Sequence, residues 1–397
     1  MASDAPLVLR PAETLTAQCY CKSVHFTVTV PTSALPLPVH LCHCHICRHT
    51  HGTLCTFHAP LPAGISPVFI APSFLETSLT GYTHSDQAAS TRFFCKTCGC
   101  HIGDRDREAP ADGTAPAWRV ATSIFDTHAA SVFDIRTHVF TPRDGDGSGS
   151  GSGLHWWLPS INGRAVRTWN PEPGDPTFPI PAPAPPAREV DAQGRERLRA
   201  ECHCGGVSFS LPRPDDVHAD IAAMSTDNRE KGLSAWNAVV DVSDASRLVS
   251  GAHAVAWASV PRAALDPAVP ADLRFGSLVP YESPYEGSRR AFCGVCGAIV
   301  FYYSGGGDGG GGDGGGGGGG GGDVDTVRVA VGILRAPDGV LALDWLMFRT
   351  ANVETGLAGG GGQRVRAFDG VFTEALTQGL RDWGWETHGL YSNFETP

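Results

Sequence analysis

Of the thirteen cysteines in this chain of 397 residues, eleven fall into repeated Cys-x-Cys or Cys-x-x-Cys arrangements; Cys55 stands alone, and Cys100 lies two residues after Cys98. Two arrangements have the same form: Cys19-x-Cys21 followed by Cys95-x-x-Cys98-Gly99, and Cys202-x-Cys204 followed by Cys293-x-x-Cys296-Gly297. On a strand, side chains two apart share a face, so a Cys-x-Cys aims both sulfurs at one point. A Cys-x-x-Cys-Gly turn adds two more, with the glycine free to take the positive φ such a turn needs. Four thiolates around one ion make a closed structural zinc site. One site is therefore expected on Cys19, Cys21, Cys95 and Cys98, and a second on Cys202, Cys204, Cys293 and Cys296. Zinc binding to such a set is worth on the order of 10–16 kcal/mol, more than the net stability of a typical domain, so neither region is expected to hold its shape without metal. Buried free thiols or redox pairs are the competing reading, and the doubled spacing weighs against it.

Between the two parts of the first arrangement lies Leu41-Cys42-His43-Cys44-His45-Ile46-Cys47-Arg48-His49-Thr50-His51-Gly52. Cys42, Cys44 and Cys47 offer three sulfurs and no evident fourth. Three protein ligands and one open position are the pattern of a catalytic zinc. Three thiolates leave Zn²⁺ with a net charge near minus one, a poor setting for making hydroxide but a suitable one for a substrate thiol. Such a thiol, deprotonated yet still nucleophilic, adds to a small carbonyl. Arg48 either neutralises this site, pairs with a substrate carboxylate through two hydrogen bonds, or is an ordinary surface charge. The neighbouring His40, His43, His45, His49, His51 and His58 are expected to face solvent. In an extended segment His43 and His45 point away from Cys42 and Cys44. Cys55 and Cys100 are expected to be small buried residues outside any cluster.

The elements that must position these cysteines recur along the chain. Cys19-Tyr20-Cys21-Lys22-Ser23-Val24-His25-Phe26 matches Cys202-His203-Cys204-Gly205-Gly206-Val207-Ser208-Phe209, and Arg92-Phe93-Phe94-Cys95-Lys96-Thr97-Cys98-Gly99 matches Arg290-Ala291-Phe292-Cys293-Gly294-Val295-Cys296-Gly297. A third pair, Trp118 to Ile124 and Val327 to Ile333, keeps the order. The open site has a counterpart without its cysteines: Cys42 falls on Asp241, Cys44 on Ser243, Cys47 on Ser246, Arg48 on Arg247 and Gly52 on Gly251. Serine hydroxyls do not replace thiolates on zinc at neutral pH. The second copy is thus expected to keep its structural metal and lose the reactive one. Two domains, 12–169 and 198–390, joined by a Pro-rich linker over 170–197, follow from this pattern. Asp144 to Gly153 and Gly305 to Gly322 read as disordered loops, and Thr373 to Trp383 as an amphipathic helix with Leu376 and Leu380 four apart.

Composition limits the partners. A formal charge of -11 without a basic run argues against nucleic-acid binding, which draws on clustered Lys and Arg. No stretch approaches the roughly 20 apolar residues of a membrane helix, and Met1 to Leu15 lacks a signal pattern. A cytoplasmic protein is expected, with the nucleus left open.

Together, Cys19-x-Cys21, Cys42-x-Cys44-x-x-Cys47-Arg48 and Cys95-x-x-Cys98-Gly99 resemble the CENP-V/GFA domain family, here as two tandem domains. The resemblance implies a mainly β protein, built as β-tents of stacked antiparallel sheets with few short helices. It also implies a structural zinc on the outer cysteine pairs and a second zinc on the middle three, hence two Zn²⁺ in the first domain and one in the second. The implied chemistry is a carbon–sulfur lyase reaction interconverting glutathione and formaldehyde with S-hydroxymethylglutathione. Two functions stay open: a zinc-dependent enzyme joining a thiol such as glutathione to a small aldehyde, or a non-catalytic zinc module that binds a protein partner.

Overall fold

Along His25–Pro31, Phe26, Val28 and Val30 are buried while Thr29 faces out. This period-two pattern fixes one face inward and makes the segment a strand, paired antiparallel with Ala12–Gln18. The same alternation places Leu198 and Ala200 inward on Glu196–Glu201, which pairs with Ser208–Pro212. The computed structural model describes residues 11–111, 113–141, 153–172, 186–217, 225–228, 233–284, 288–303, 325–356 and 370–388. The expected Gly-rich loops, apart from Gly153, and residues 173–185 of the expected linker lie outside them.

The protein is mainly β. A small three-stranded sheet accompanies an eight-stranded sheet in each half of the chain. The first large sheet runs Arg167–Trp169, Phe133–Val139, Leu37–Cys42, Thr56–Pro60, Trp118–Ala121, His101–Asp106, Ser90–Cys95, Leu79–Tyr82. The second runs Ser225–Asn228, Leu233–Asp241, Val255–Pro261, Thr326–Ala330, Ile299–Tyr303, Arg289–Cys293, Leu278–Glu282, with Leu346–Phe348 beside Leu233–Asp241. Both are antiparallel except at one margin: Phe133–Val139 runs parallel to Leu37–Cys42, and Leu346–Phe348 parallel to Leu233–Asp241. In the Pro-rich stretch, Glu189–Val190 pairs with Glu196–Glu201 and so extends the second small sheet.

The two Cys-x-Cys motifs differ from expectation in one respect. They sit in tight turns just after Ala12–Gln18 and Glu196–Glu201, not on the strands themselves. The chain must reverse there, and it does so through positive φ at Lys22 (63°) and at its counterpart Gly205 (72°). The sulfurs converge because the turn folds them together.

Counterpart residues meet one another where the halves pack. Tyr20 N–H donates to the Leu248 carbonyl at 3.1 Å, and His203 N–H donates to the His49 carbonyl at 3.0 Å. The aligned positions are Tyr20 with His203 and His49 with Leu248, so the two bonds are related by an exchange of halves, as at a two-fold axis. A Cβ on Gly52 would lie 2.0 Å from the Ile299 carbonyl oxygen, and one on Gly251 would lie 2.1 Å from that of His101. Both glycines also have φ of 75°, so neither conformation nor space admits another residue. One contiguous apolar core joins both halves.

The expected tail helix is present and longer, Gly370–His388. Its buried face presents Phe372, Leu376, Leu380 and Trp383, at helical spacing. Trp383 packs on Trp157 with ring centroids 5.4 Å apart, and Phe372 on Phe57 at 5.9 Å. The carboxy-terminal helix is thereby anchored on the amino-terminal half. Among the described residues no helix is long and apolar enough to cross a membrane.

Candidate active site and metal centres

Three cysteine clusters form, on the residues the sequence marks out. Cys19, Cys21, Cys95 and Cys98 bring their sulfurs within 4.8 Å of one another, and so do Cys202, Cys204, Cys293 and Cys296. Within them Cys19 and Cys21 are 3.5 Å apart, Cys21 and Cys95 3.6 Å, Cys202 and Cys204 3.6 Å, and Cys204 and Cys293 3.4 Å. A tetrahedral Zn–S distance near 2.3 Å puts sulfurs about 3.8 Å apart, whereas a disulfide needs about 2.05 Å. The spacing fits an ion and excludes a disulfide. Backbone N–H groups of Val24 and Val207 point at Cys19 and Cys202, at 3.3 and 3.4 Å, an arrangement that favours the thiolate form. Gly99 and Gly297, with φ of 81° and 84°, close the two Cys-x-x-Cys turns.

Cys42, Cys44 and Cys47 make the third cluster, again within 4.8 Å. Cys42 ends the strand Leu37–Cys42, and Cys47 lies in the helix His45–His51. Cys44 is that helix's N-cap, accepting from Cys47 N–H at 3.4 Å. The cap turns Cys44 and Cys47 toward Cys42, and Gly52 ends the helix in the left-handed conformation. Donor chemistry and spacing suit a soft divalent metal with three sulfurs. Among the described residues, no further cysteine, histidine or carboxylate completes this set to four.

The counterpart helix Asp244–Ser250 is capped the same way, Ser243 Oγ accepting from Ser246 N–H at 3.3 Å and Gly251 ending it. In place of three sulfurs, Asp241 accepts Ser243 N–H at 2.7 Å and the Ser246 hydroxyl. The backbone survives because capping and the glycine terminus do not depend on a metal. The ligand set is replaced by a self-satisfied polar network.

The histidines depart from the sequence reading. His43, His49, His51 and His58 are buried, not solvent-facing; His40 and His45 are half-buried. The extended alternation ends at Cys44, where the helix begins and rotates the following residues inward. His138 donates from Nε2 to the Leu158 carbonyl (3.0 Å) and so accepts at Nδ1 from His43 Nε2 (2.9 Å). Burial, with the neighbouring His138 and His155, keeps His43 neutral by holding its pKa well below the usual value. His51 donates from Nδ1 to the Cys47 carbonyl at 3.0 Å and stacks on His101 with centroids 3.7 Å apart. These imidazoles support the helix instead of serving as a fourth ligand. Cys55 and Cys100 are buried outside the clusters, as expected.

Arg48 is half-buried, and its Nε and Nη1 are sealed from solvent with no hydrogen-bond partner. Burial, and then the charge of Arg335, lower its pKa to about 10. The cation that touches the cluster is one the sequence reading passed over. Arg92 Nη2 donates to Cys47 Sγ at 3.7 Å and Nη1 donates to His84 Nδ1 at 3.2 Å. Burial opposes its charge, but Cys47 and Asp104 more than offset this and raise its pKa. Its recurrence as Arg92 and Arg290, three residues before each Cys-x-x-Cys, was the available signal. His203 and Arg335, from the carboxy-terminal half, also reach this region: His203 Nδ1 bonds the Tyr82 hydroxyl at 2.7 Å, and Arg335 Nη1 donates to His49 Nδ1 at 2.6 Å. Linear spacing gives no hint of contacts between residues 121 and 286 positions apart.

No curated protein matches the chain. Residues 14–143, which carry the three-cysteine cluster and the first four-cysteine cluster, match the model of the family described as glutathione-dependent formaldehyde-activating enzyme.

Proposed function

We propose that this protein is a zinc-dependent carbon–sulfur lyase that adds a thiol such as glutathione to a small aldehyde, or reverses the addition. The observation that carries the reading is the contrast among clusters: two with four sulfurs, and one of three whose remaining position no described side chain takes. The family match over residues 14–143 supports it. The reading assigns structural zinc to Cys19, Cys21, Cys95 and Cys98 and to Cys202, Cys204, Cys293 and Cys296, and a reactive zinc to Cys42, Cys44 and Cys47. It treats 12–169 and 198–390 as two copies of one domain joined through 170–197, the second without the reactive site.

Zinc held by Cys42, Cys44 and Cys47 would supply acidification of a bound substrate thiol. In the addition, the thiol sulfur forms a bond to the aldehyde carbon, the C=O π bond breaks, and the proton lost by sulfur ends on the new hydroxyl. The chain's own groups set the stage for that step. Arg92 against Cys47 offsets the negative charge of three sulfurs. The Cys44 cap and the His51 bond to the Cys47 carbonyl fix the helix that aims the ligands. His43, held neutral behind the cluster, leaves its charge unchanged.

The test is product formation from glutathione and formaldehyde, followed by exchange NMR, with zinc absorption spectroscopy on the same samples. Turnover abolished in Cys47→Ala, with the fold intact and a fourth sulfur appearing on glutathione addition to the native protein, supports the lyase. No change in the metal's coordination by glutathione, and no turnover, favours the non-catalytic interaction module.

A further inference from the structure

The two halves meet with exchanged counterparts in contact, so each position around the cysteine cluster can be compared with its partner around Asp241, Ser243 and Ser246. Four positions differ in polar chemistry, and at two of them, where Asp244 and Asp126 stand on the other side, the difference is one of charge. His45 stands opposite Asp244 in the alignment, and His84 opposite Ser283. His203 answers Tyr20, each donating its backbone N–H to the other half. Arg335 answers Asp126: Asp126 N–H donates to the Thr16 carbonyl at 3.0 Å, and Arg335 N–H to the Arg199 carbonyl at 2.8 Å, the same bond in each copy. Around the three-cysteine cluster Arg335 and His45 thus stand where the other side has Asp126 and Asp244, while Glu201 beside Arg335 answers Gln18 and Asp104 answers Tyr302.

The consequence is visible at the conserved pair Arg48 and Arg247. Arg247 is satisfied, donating to the Asp244 carboxylate and across the interface to the Ser123 carbonyl. Arg48 has His45 where Arg247 has Asp244, and two of its nitrogens are buried without a partner. The Nε of Arg335 is likewise sealed and unpartnered. The carboxylate beside Arg335 is Glu201, 3.7 Å away and 39% exposed, too loose and too wet to quench both guanidiniums. Arg92, already bonded to Cys47, answers the charge of the cluster itself. Arg48 thus has two buried nitrogens without an acceptor, and Arg335, whose Nη1 and Nη2 donate to His49 and to the Cys202 carbonyl, has one; paired guanidinium donors of this kind suit a carboxylate.

We propose that the carboxy-terminal half is the anion-recognition wall of the amino-terminal site: Arg335, together with Arg48 from the other side of the seam, holds a carboxylate of the thiol substrate and selects an anionic thiol over a neutral one. This rests on the thiol–aldehyde reading and deepens it, giving the half without a reactive cluster a role in specificity. Arg335 is a specificity residue, and its effect falls on substrate capture, not on bond formation.

The experiment uses the full zinc-loaded chain with formaldehyde and two thiols of identical sulfur chemistry, glutathione and its diester with both carboxylates masked. The native protein is expected to prefer the free acid. Arg335→Leu is expected to lower the ratio of the two kcat/KM values about tenfold, the size of one charge-assisted hydrogen bond, through KM, and Arg335→Lys to recover part of it. Zinc content and circular dichroism verify the fold. An unchanged ratio in a folded Arg335→Leu protein overturns the inference while leaving the lyase in place. Calorimetric binding of S-methylglutathione separates the two ideas, because it needs no turnover. Binding that weakens about tenfold in Arg335→Leu, in a protein that forms no product, keeps the anion wall and sinks the lyase; binding equal in both proteins sinks the wall.

Discussion

Phe94 meets Phe292 edge to face, with ring centroids 6.2 Å apart and planes at 74°. The two are counterparts, each one residue before a cysteine of a four-sulfur cluster. The glycine that closes each Cys-x-x-Cys turn presses on the opposite phenylalanine: a Cβ on Gly99 would lie 2.4 Å from Phe292 Cγ, and one on Gly297 2.6 Å from Phe94 Cδ1. The aromatic pair thus ties one closed metal cluster to the other through the shared core.

This coupling is expected to make the halves one unfolding unit. Phe292→Ala removes a fully buried ring and is expected to destabilise the chain by about 3–5 kcal/mol, with metal released from both four-cysteine clusters in one transition. Urea titration, with metal release followed by a chromophoric chelator, checks it. Release from the second cluster alone, with the first retained, would show that the halves unfold separately.

The clusters differ in exposure, and metal removal should follow that difference. Each four-cysteine cluster has three buried members and one partly open, Cys21 or Cys204, whereas the cluster of three has only Cys47 buried, with Cys42 and Cys44 partly open. Native mass measurement is expected to find three metal ions per chain and, under mild chelation, a long-lived species with two and native circular dichroism. Cys47→Ala should start as that species. Cys98→Ala and Cys296→Ala should fail to fold, because removing one ligand forfeits much of a binding energy on the order of 10–16 kcal/mol.

The cysteine clusters were legible because a shared metal would impose local spacing, and Cys42, Cys44 and Cys47 lie within six residues. The mainly β architecture was legible for a similar reason, as in Phe26, Val28 and Val30 alternating with threonines. The histidine environment was not, because its burial depends on a helix starting at Cys44, and a cysteine is an unusual cap. Arg335 beside His49 was hidden for a deeper reason: the contact exists only once the two halves of the chain have packed together.

Asp104 gives a pH signature. Buried at the sheet, it accepts from His58 Nδ1 at 3.0 Å and Arg119 Nε at 2.6 Å. Burial acts to raise its pKa, but the His58 bond and the Arg119 charge outweigh that and hold the carboxyl below its usual value. A depressed folded pKa stabilises the protein at all pH above the unfolded value, about 3.9, and that stability is lost as pH falls through the lower folded value. Asp104→Asn is therefore expected to cost about 2–3 kcal/mol at pH 7, as for breaking one side of a buried ion pair with a partly wet partner. The gap to the native protein should close in acid. Urea unfolding of both proteins at pH 7 and pH 3 measures it, and a constant gap would mean that the Asp104 charge contributes nothing.

The second half keeps the frame of the open site, and that invites reconstruction. Ser243 caps Asp244–Ser250 as Cys44 caps His45–His51, with φ and ψ of -60° and 153° against -60° and 151°. Gly251 repeats the φ of Gly52. A chain carrying Asp241→Cys, Ser243→Cys and Ser246→Cys should therefore place three sulfurs as the first half does and take up a fourth metal ion, seen by native mass. Reactivity toward glutathione should not follow. The rebuilt cluster would face Asp126 and Tyr20 where the natural one has Arg335 and His203, and a carboxylate set near an anionic thiol repels it. With the natural site disabled by Cys47→Ala, turnover of glutathione by the rebuilt site is expected to stay at background, and adding Asp126→Arg to raise it. A fourth metal with full turnover and no need for Asp126→Arg would show that the ligand set alone makes the enzyme, and that the opposing wall has no part in choosing the thiol.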